Sequence, residues 1–264
     1  MPGVKMVFPP RLTASATRLR DTAERRGLEV VQLRGFEVPE GLRAEHVHAG
    51  PSFADVVAPR LGIALLEAPA DWLAALPREL TRREVVLLPI GEAYGLRRPA
   101  FIKSPNDKGI RAMVYSDGSR LPGPDAVDPA TPVLVSDIVD ITVEYRLYLL
   151  DGVVHAASRY AENGRLHVGP AGADAYAFGA ELAAAAGHTL PSAIVVDVGR
   201  IGGQWAVIEA NAAWASGAYT ADPEAVLDVV LRAAGPEVAL TERDRAFVRR
   251  AAAGRAAQEV NDAR

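Results

Sequence analysis

Apolar positions along this chain recur at two periods, and together they outline most of its elements. Met6 to Phe8 is a short apolar run closed by Pro9 and Pro10; a helix-compatible stretch follows from about Thr13 to Arg26 and stops at Gly27, and Val30, Val31 and Leu33 resume as a strand. Strand, helix, strand is the unit that builds parallel sheets. The His46 to Gly50 segment has no period that places it. Ser52 is expected to cap a short helical stretch through Phe53, Val56 and Val57 that Pro59 ends or kinks, before a buried strand at Ile63 to Leu66. Asp71 to Leu76 adds an amphipathic turn carrying Trp72.

Val85 to Leu88 is a short strand or helix end, and the Gly, Pro and Arg of Glu92 to Pro99 suggest a connection between lobes. Ala100 to Lys103 reads as a strand, Ser104 to Gly109 as a polar loop and Ile110 to Tyr115 as the returning strand, which together make a flap. Gly118 to Pro132 is a surface loop, and Val133 to Val135 a short strand. In the long run Ile141 to Leu150, one face carries Ile141, Val143, Tyr145, Leu147 and Leu149, and the other carries Thr142, Glu144, Arg146 and Tyr148. Asp151-Gly152 is a hairpin turn, and Val153 to Tyr160 returns with Val153, His155, Ala157 and Arg159 on one side. This meander is expected to carry Glu144, Arg146 and Arg159 into one cleft.

Alanine-rich Ala171 to Gly187 is a helix, Asp222-Pro223 starts another over Glu224 to Ala234 that Gly235-Pro236 stops, and Thr241 to Arg255 is a charged helix. Between them lies the densest chemistry, Ala193 to Asn211. Ile194 to Val196 reads as a buried strand, Gly202 and Gly203 as a turn, and Trp205, Val207 and Ile208 as a second, antiparallel strand. Asp197 sits on the first arm. Glu209 and Asn211, two apart, share one face of the second. Acidic groups inside apolar runs cost desolvation unless they have work to do. Two carboxylates and a carboxamide make an all-oxygen ligand set suited to Mg2+.

Lys103, at a strand end beside a polar loop, is placed to meet phosphate oxygens as a point charge, with Lys108 in the loop itself. No Walker A loop, GxGxxG, HExxH or GxSxG sequence is present, so the usual entry signals for dinucleotide oxidoreductases, zinc proteases and serine hydrolases are missing. With 29 basic and 33 acidic residues the net charge is -4, which offers no broad surface for nucleic acid or anionic membrane. There is no cysteine, which removes thiolate chemistry, Cys-based zinc and iron-sulfur clusters. No apolar stretch approaches the roughly 20 residues that span a bilayer, and the expectation is a cytoplasmic protein.

The order FIKSPNDKG, EYRLYLLDG, AASRY, VVDVG and IEAN, followed by a helix beginning DPE, resembles the ATP-grasp superfamily, and within it a small uncharacterised clade. The resemblance implies an α/β fold: an N-terminal pre-ATP-grasp α/β lobe (1–88), a central lobe with a mobile loop (89–140), and a C-terminal lobe with the metal site (141–264), the last two forming a two-lobed α+β domain with antiparallel sheets. Asp197, Glu209 and Asn211 match the family's magnesium ligands in order and spacing. Lys103 resembles its nucleotide-phosphate lysine, and Arg83 is the best substitute for a second phosphate lysine that has no match here. Glu144 and Arg146 resemble residues brought to the nucleotide cleft, and Arg159 the arginine facing the phosphates. Val133 to Ile138, with Val135 and Ile138 as its apolar contacts, would line the adenine pocket at the inter-lobe hinge. The implied cofactors are ATP and Mg2+. The implied activity is carboxylate–amine ligation through an acylphosphate, with a small-molecule or peptide carboxylate and an amine acceptor. An RNA-linked modification, a phosphotransfer reaction and a non-catalytic nucleotide-binding role stay open, as does a homodimer.

Overall fold

The structure, a computed structural model, describes residues 3–250. Lys5–Phe8 (β1) pairs in parallel with Glu29–Gln32 (β2) on one side and His46–Val47 (β3) on the other, with Ala14–Arg25 (α1) as the crossover. The Thr13 hydroxyl caps α1 by accepting from Ala16 N at 3.2 Å. Pro51–Leu61 (α2) departs from expectation at both ends. Gly50 rather than Ser52 stands at its N-cap, with Pro51 in the first turn, where its missing N–H costs nothing. Pro59 does not end the helix: it lies in the last turn, and Gly62, at φ 68°, terminates it.

Ile63–Leu65 (β4), Trp72–Ala75 (α3) and Arg78–Thr81 (α4) lead to a second sheet. Its strands are Val85–Pro89 (β5), Ala100–Lys103 (β6), Met113–Tyr115 (β7) and Pro132–Ser136 (β8), with Ile90–Ala93 (α5) between the first two. They run antiparallel in the order β5-β8-β6-β7. The returning strand is shorter than expected because Ile110 turns inward and is buried in the small core under this sheet with Ile90, Ile102 and Val133.

The largest sheet is antiparallel, in the order β11-β10-β9-β12-β13. Ile141–Leu150 (β9), Val153–Glu162 (β10) and Arg165–Pro170 (β11) form the meander, and after Ala173–Ala186 (α6) come Ala193–Ile201 (β12) and Gln204–Asn211 (β13). One face, with Leu147, Ile194, Val196 and Val207, packs on Phe178 and Leu182 of α6. The other, with Tyr148 and Val195, packs on Pro223–Ala233 (α7) and on β1. Ala234–Pro236 (β14) pairs antiparallel with β4, so the residues expected only to stop a helix also make a strand.

The charged helix expected from Thr241 is absent in its described part. Residues 241–250 hold one short 3-10 turn, Asp244–Phe247, and residues 251–255 of that expectation lie outside the described residues. The Arg249 guanidinium is tied to Asp55 at 2.7 and 3.0 Å and to Glu67 at 2.6 Å, and Val248 bridges to Leu66, which holds this stretch extended. Among the described residues no helix is long and apolar enough to cross a membrane.

Candidate functional site

Register does most of the work of building the site. Asp197 on β12 lies directly across from Arg146 on β9 and from Glu209 on β13, so all three side chains meet on one face of the large sheet. Asp197 is 1 % exposed and accepts a bidentate pair from Arg146, Nε at 2.9 Å and Nη2 at 2.7 Å. Asn211 donates to Asp197 at 3.1 Å and to Glu209 at 2.9 Å, which draws the three oxygen-bearing side chains together. Lys103, from the end of β6, crosses between the sheets and pairs with Glu209.

The electrostatics follow from this pairing. Burial pushes the Asp197 carboxyl up, against the pull of Arg146. Burial works against the charged form of Arg146 too, but the Asp197 carboxylate beside it outweighs that and raises the guanidinium, which stays charged. At Glu209 burial pushes upward, and Lys103 and the Asn211 amide together hold the carboxyl below its ordinary value. Tyr160 is raised by burial first and then by the Asp197 and Glu144 charges, so it remains a neutral donor to Glu144, at 2.8 Å.

Two cavities meet at the Lys103–Glu209 pair. One, of about 340 Å³, lies between the sheets and is walled by Leu134, Ser136, Ile138, Ile141 and Ile208, with Glu144 and Tyr160 at one end. The other, of about 490 Å³, lies under the Ser104 to Arg111 loop and is closed by Asn211 and the Ala212 to Ser216 turn. Asn106 of that loop donates to the Ala68 carbonyl at 2.8 Å, which holds the flap against the rest of the chain.

The expected site residues are placed as follows. Lys103, Glu144, Arg146, Asp197, Glu209 and Asn211 come together. Ile138 lines the first cavity and is half exposed, at 51 %. Lys108 is exposed on the second. Arg83 borders the first cavity, but its guanidinium donates to the carbonyls of Thr81, Val207 and Ile208 at 3.0, 2.8 and 2.9 Å. That leaves Arg83 anchoring the strand that carries Glu209. Val135 does not face the cleft: it pairs with Ile102 and is buried in the small core, and the strand's alternation turns Leu134 and Ser136 to the cavity instead.

Arg159 does not join the cluster either. It pairs with Tyr145, whereas Ser158 pairs with Arg146, so the pleat sends Arg159 to the opposite face. There its Nη2 lies 3.4 Å from His167 Nε2 and its Nη1 3.8 Å from Glu162. Tyr160, its neighbour, takes the site face: regular alternation through the Asp151-Gly152 turn would set Arg159 opposite Glu144, but the register shifts by one between Val154 and Ala156, and that bulge exchanges the two faces of the strand. Tyr219, stacked on Tyr160 with centroids 5.1 Å apart, had no sequence signal, since it comes from a loop.

The donor chemistry fits a magnesium ion. Asp197, Glu209 and Asn211 carry oxygen donors and two formal negative charges and lie together, with the Asn211 amide nitrogen turned to the two carboxylates in the ligand-free chain. Among the described residues no three His, Cys, Asp or Glu side chains cluster as a metal site.

Residues 80–229 match the model of a family described as an ATP-grasp domain, the second family of its clade. Among solved structures the chain is similar to the ATP-grasp ligase PsnB complexed with precursor peptide PsnA2 and AMPPNP, at 14% identity and a TM-score of 0.50, covering 88% of this chain and 98% of that one. It is also similar to a RimK domain protein ATP-grasp from Sphaerobacter thermophilus DSM 20745, at 14% identity and a TM-score of 0.49 over 86% and 98% of the two chains. A D-alanine–D-alanine ligase from Bacillus anthracis is similar at 11% identity and a TM-score of 0.46, over 88% and 97%. At the identity of PsnB the likeness is one of fold. No curated protein matches the chain.

Proposed function

The chain belongs to the ATP-grasp domains, in the second family of its clade, and from that premise we propose that it is an ATP-dependent carboxylate–amine ligase working through an acylphosphate. The observation that carries this reading is the pair of cavities sharing Lys103 and Glu209: one between the sheets, walled largely by Leu134, Ile138, Ile141 and Ile208, one under the flap, and a charged cluster between them. Such a division suits a nucleotide on one side and an acceptor on the other, with the phosphates at the boundary.

In the proposed reaction a carboxylate oxygen attacks the γ-phosphorus of ATP and ADP leaves with the electron pair of the broken P–O bond. The amine then attacks the acyl carbon, phosphate departs, and the amine loses a proton. Bound Mg2+ would screen the phosphate charges that repel an incoming carboxylate. Asp197, Glu209 and Asn211 would hold it. Lys103 would trade its pairing with Glu209 for the phosphates, Arg146 would fix the Asp197 carboxylate, and Glu144 and Tyr160 would border the nucleotide. The flap would keep water from the acylphosphate. The lobes bounded at residues 88 and 140 belong to the same proposal, with the central one carrying Lys103. The ligases among the similar structures are in keeping with this class of reaction.

The test is a screen of carboxylates with Mg-ATP and hydroxylamine, which intercepts an acylphosphate as a hydroxamate. ADP release together with hydroxamate mass supports the ligase, and Glu209→Gln is expected to lower that release by at least about 100-fold while remaining folded. ADP release with a stable phosphorylated product and no hydroxamate would replace ligation by phosphotransfer. Wild-type rates from Glu209→Gln would contradict the site.

A further inference from the structure

The loop after the turn at Ala212 to Ser216 is held at one residue after another. Tyr148 Oη donates to the Ser216 carbonyl at 3.1 Å, Arg146 Nη1 to the Gly217 carbonyl at 3.3 Å, and Ala218 N to Ser15 Oγ at 2.6 Å. Thr220 N donates to Ser158 Oγ at 3.2 Å, and its hydroxyl to the Gly169 carbonyl at 2.9 Å. Arg18 of α1 donates to the carbonyl of Tyr219 itself. At the centre of these restraints Tyr219 has φ 50°, the left-handed region that a bulky side chain enters only under constraint. The other described non-glycine residues there are Arg82, which ends α4 as its C-cap, and Asp151 and Asn163, which sit in tight hairpin turns where that backbone is ordinary. Tyr219 is in no hairpin.

The strained conformation has a consequence for the side chain. It lays the Tyr219 ring on Tyr160 with an interplanar angle of 12°, and the Arg146 guanidinium carbon lies 5.2 Å from the Tyr219 centroid and 5.6 Å from that of Tyr160. An arginine left free at this point has other carboxylates near it. Glu209 lies close enough to interact with Arg146, and Glu144 with the Tyr160 ring beside it. The aromatic pair lies against the guanidinium and adds cation–π attraction to the conformation that meets Asp197. We propose that Tyr219 is a positioning residue, whose ring, held over Arg146 by a strained backbone, keeps that guanidinium on Asp197. The role rests on the proposed function only for its catalytic meaning, since the contact itself belongs to the ligand-free chain.

Two substitutions separate the ring from the backbone. Tyr219→Phe keeps the ring and removes a hydroxyl that makes no hydrogen bond to a described residue. Tyr219→Asn accepts the left-handed backbone and removes the ring. The readout is the exchange rate of the Arg146 Nε–H proton by NMR in the ligand-free, full-length protein, with the signal assigned by its loss in Arg146→Lys. In Tyr219→Phe the rate is expected to stay within about twofold of wild type, and in Tyr219→Asn to rise about tenfold at an unchanged melting temperature. An unchanged rate in Tyr219→Asn would overturn the proposal. A rise matched by a fall in melting temperature would overturn it too, because it would make Tyr219 a packing residue. Failure of the wild type to turn over Mg-ATP would sink the proposed function and leave this result standing.

Discussion

His48 shows what a single buried side chain can cost. It is 6 % exposed beside the Phe8 ring, its Nδ1 has no hydrogen-bond partner among the described residues, and burial lowers it to about 4. The unfolded chain therefore binds a proton between about pH 6.5 and 4 that the folded chain refuses, so stability is complete above 6.5 and falls as the pH drops through that window. The loss is about 3 kcal/mol if the full shift applies. His48→Leu is expected to leave stability at pH 7 near wild type and to flatten the acid dependence by that amount, as urea unfolding at several pH values would reveal. An equally steep loss in the variant would place the titrating group elsewhere. At the same scale Arg83 is a lesson in reading cations: the family resemblance offers it as the substitute for a phosphate-binding lysine, and three backbone carbonyls already hold its two terminal nitrogens.

Elements were legible where a period ran long and a turn closed it. The hairpin of β12 and β13 is fixed by its apolar run, the Gly202-Gly203 turn at φ 56° and 77°, and the resumption at Trp205. The Asp222 cap of α7, accepting from Glu224 N at 3.1 Å, was equally plain. The strand β3 was not legible, because two residues carry no period and only the edge of β1 makes them a strand. The third strand of the meander had a signal in Asn163-Gly164, both at positive φ, that composition alone leaves easy to pass over. Alternation assigns Val133 to Ser136 to two faces without saying which one meets the cleft, and that is why Val135 was expected there in place of Leu134; Arg159 was expected in place of Tyr160 because a register shift between Val154 and Ala156 exchanges the faces of β10. Packing of α6 is a case the sequence cannot show. A Cβ on Gly179 would overlap Val154 Cγ2 and lie 2.9 Å from Leu147 Cδ1, so this glycine lets the helix approach the sheet. Gly179→Ala should gain about 1 kcal/mol of helix propensity and lose about 1 to 3 to overpacking. A lower melting temperature is expected; a higher one would mean that the helix moves away freely.

Across the whole molecule the first and last thirds of the described chain share one core. Met6, Val7 and Phe8 share a core with Trp214, Val226, Leu227, Val229 and Val230, and Arg26, the C-cap of α1, pairs with Asp228 of α7 at 2.6 Å. The first strands and helix of the chain are thus part of the scaffold that presents β12 and β13, and through Arg18 and Ser15 they also grip the loop beside Arg146. Function has to be measured on the full chain for that reason. The central claim is that nucleotide phosphates and magnesium meet at Lys103, Asp197, Glu209 and Asn211. Calorimetric titration of the full-length protein with ATP, with and without Mg2+, for wild type and Glu209→Gln, tests it most directly. Wild type is expected to bind ATP more tightly with Mg2+, and Glu209→Gln to lose at least about tenfold of that gain while staying folded. No measurable affinity in folded wild type, or a Mg2+ dependence that Glu209→Gln leaves untouched, would contradict it.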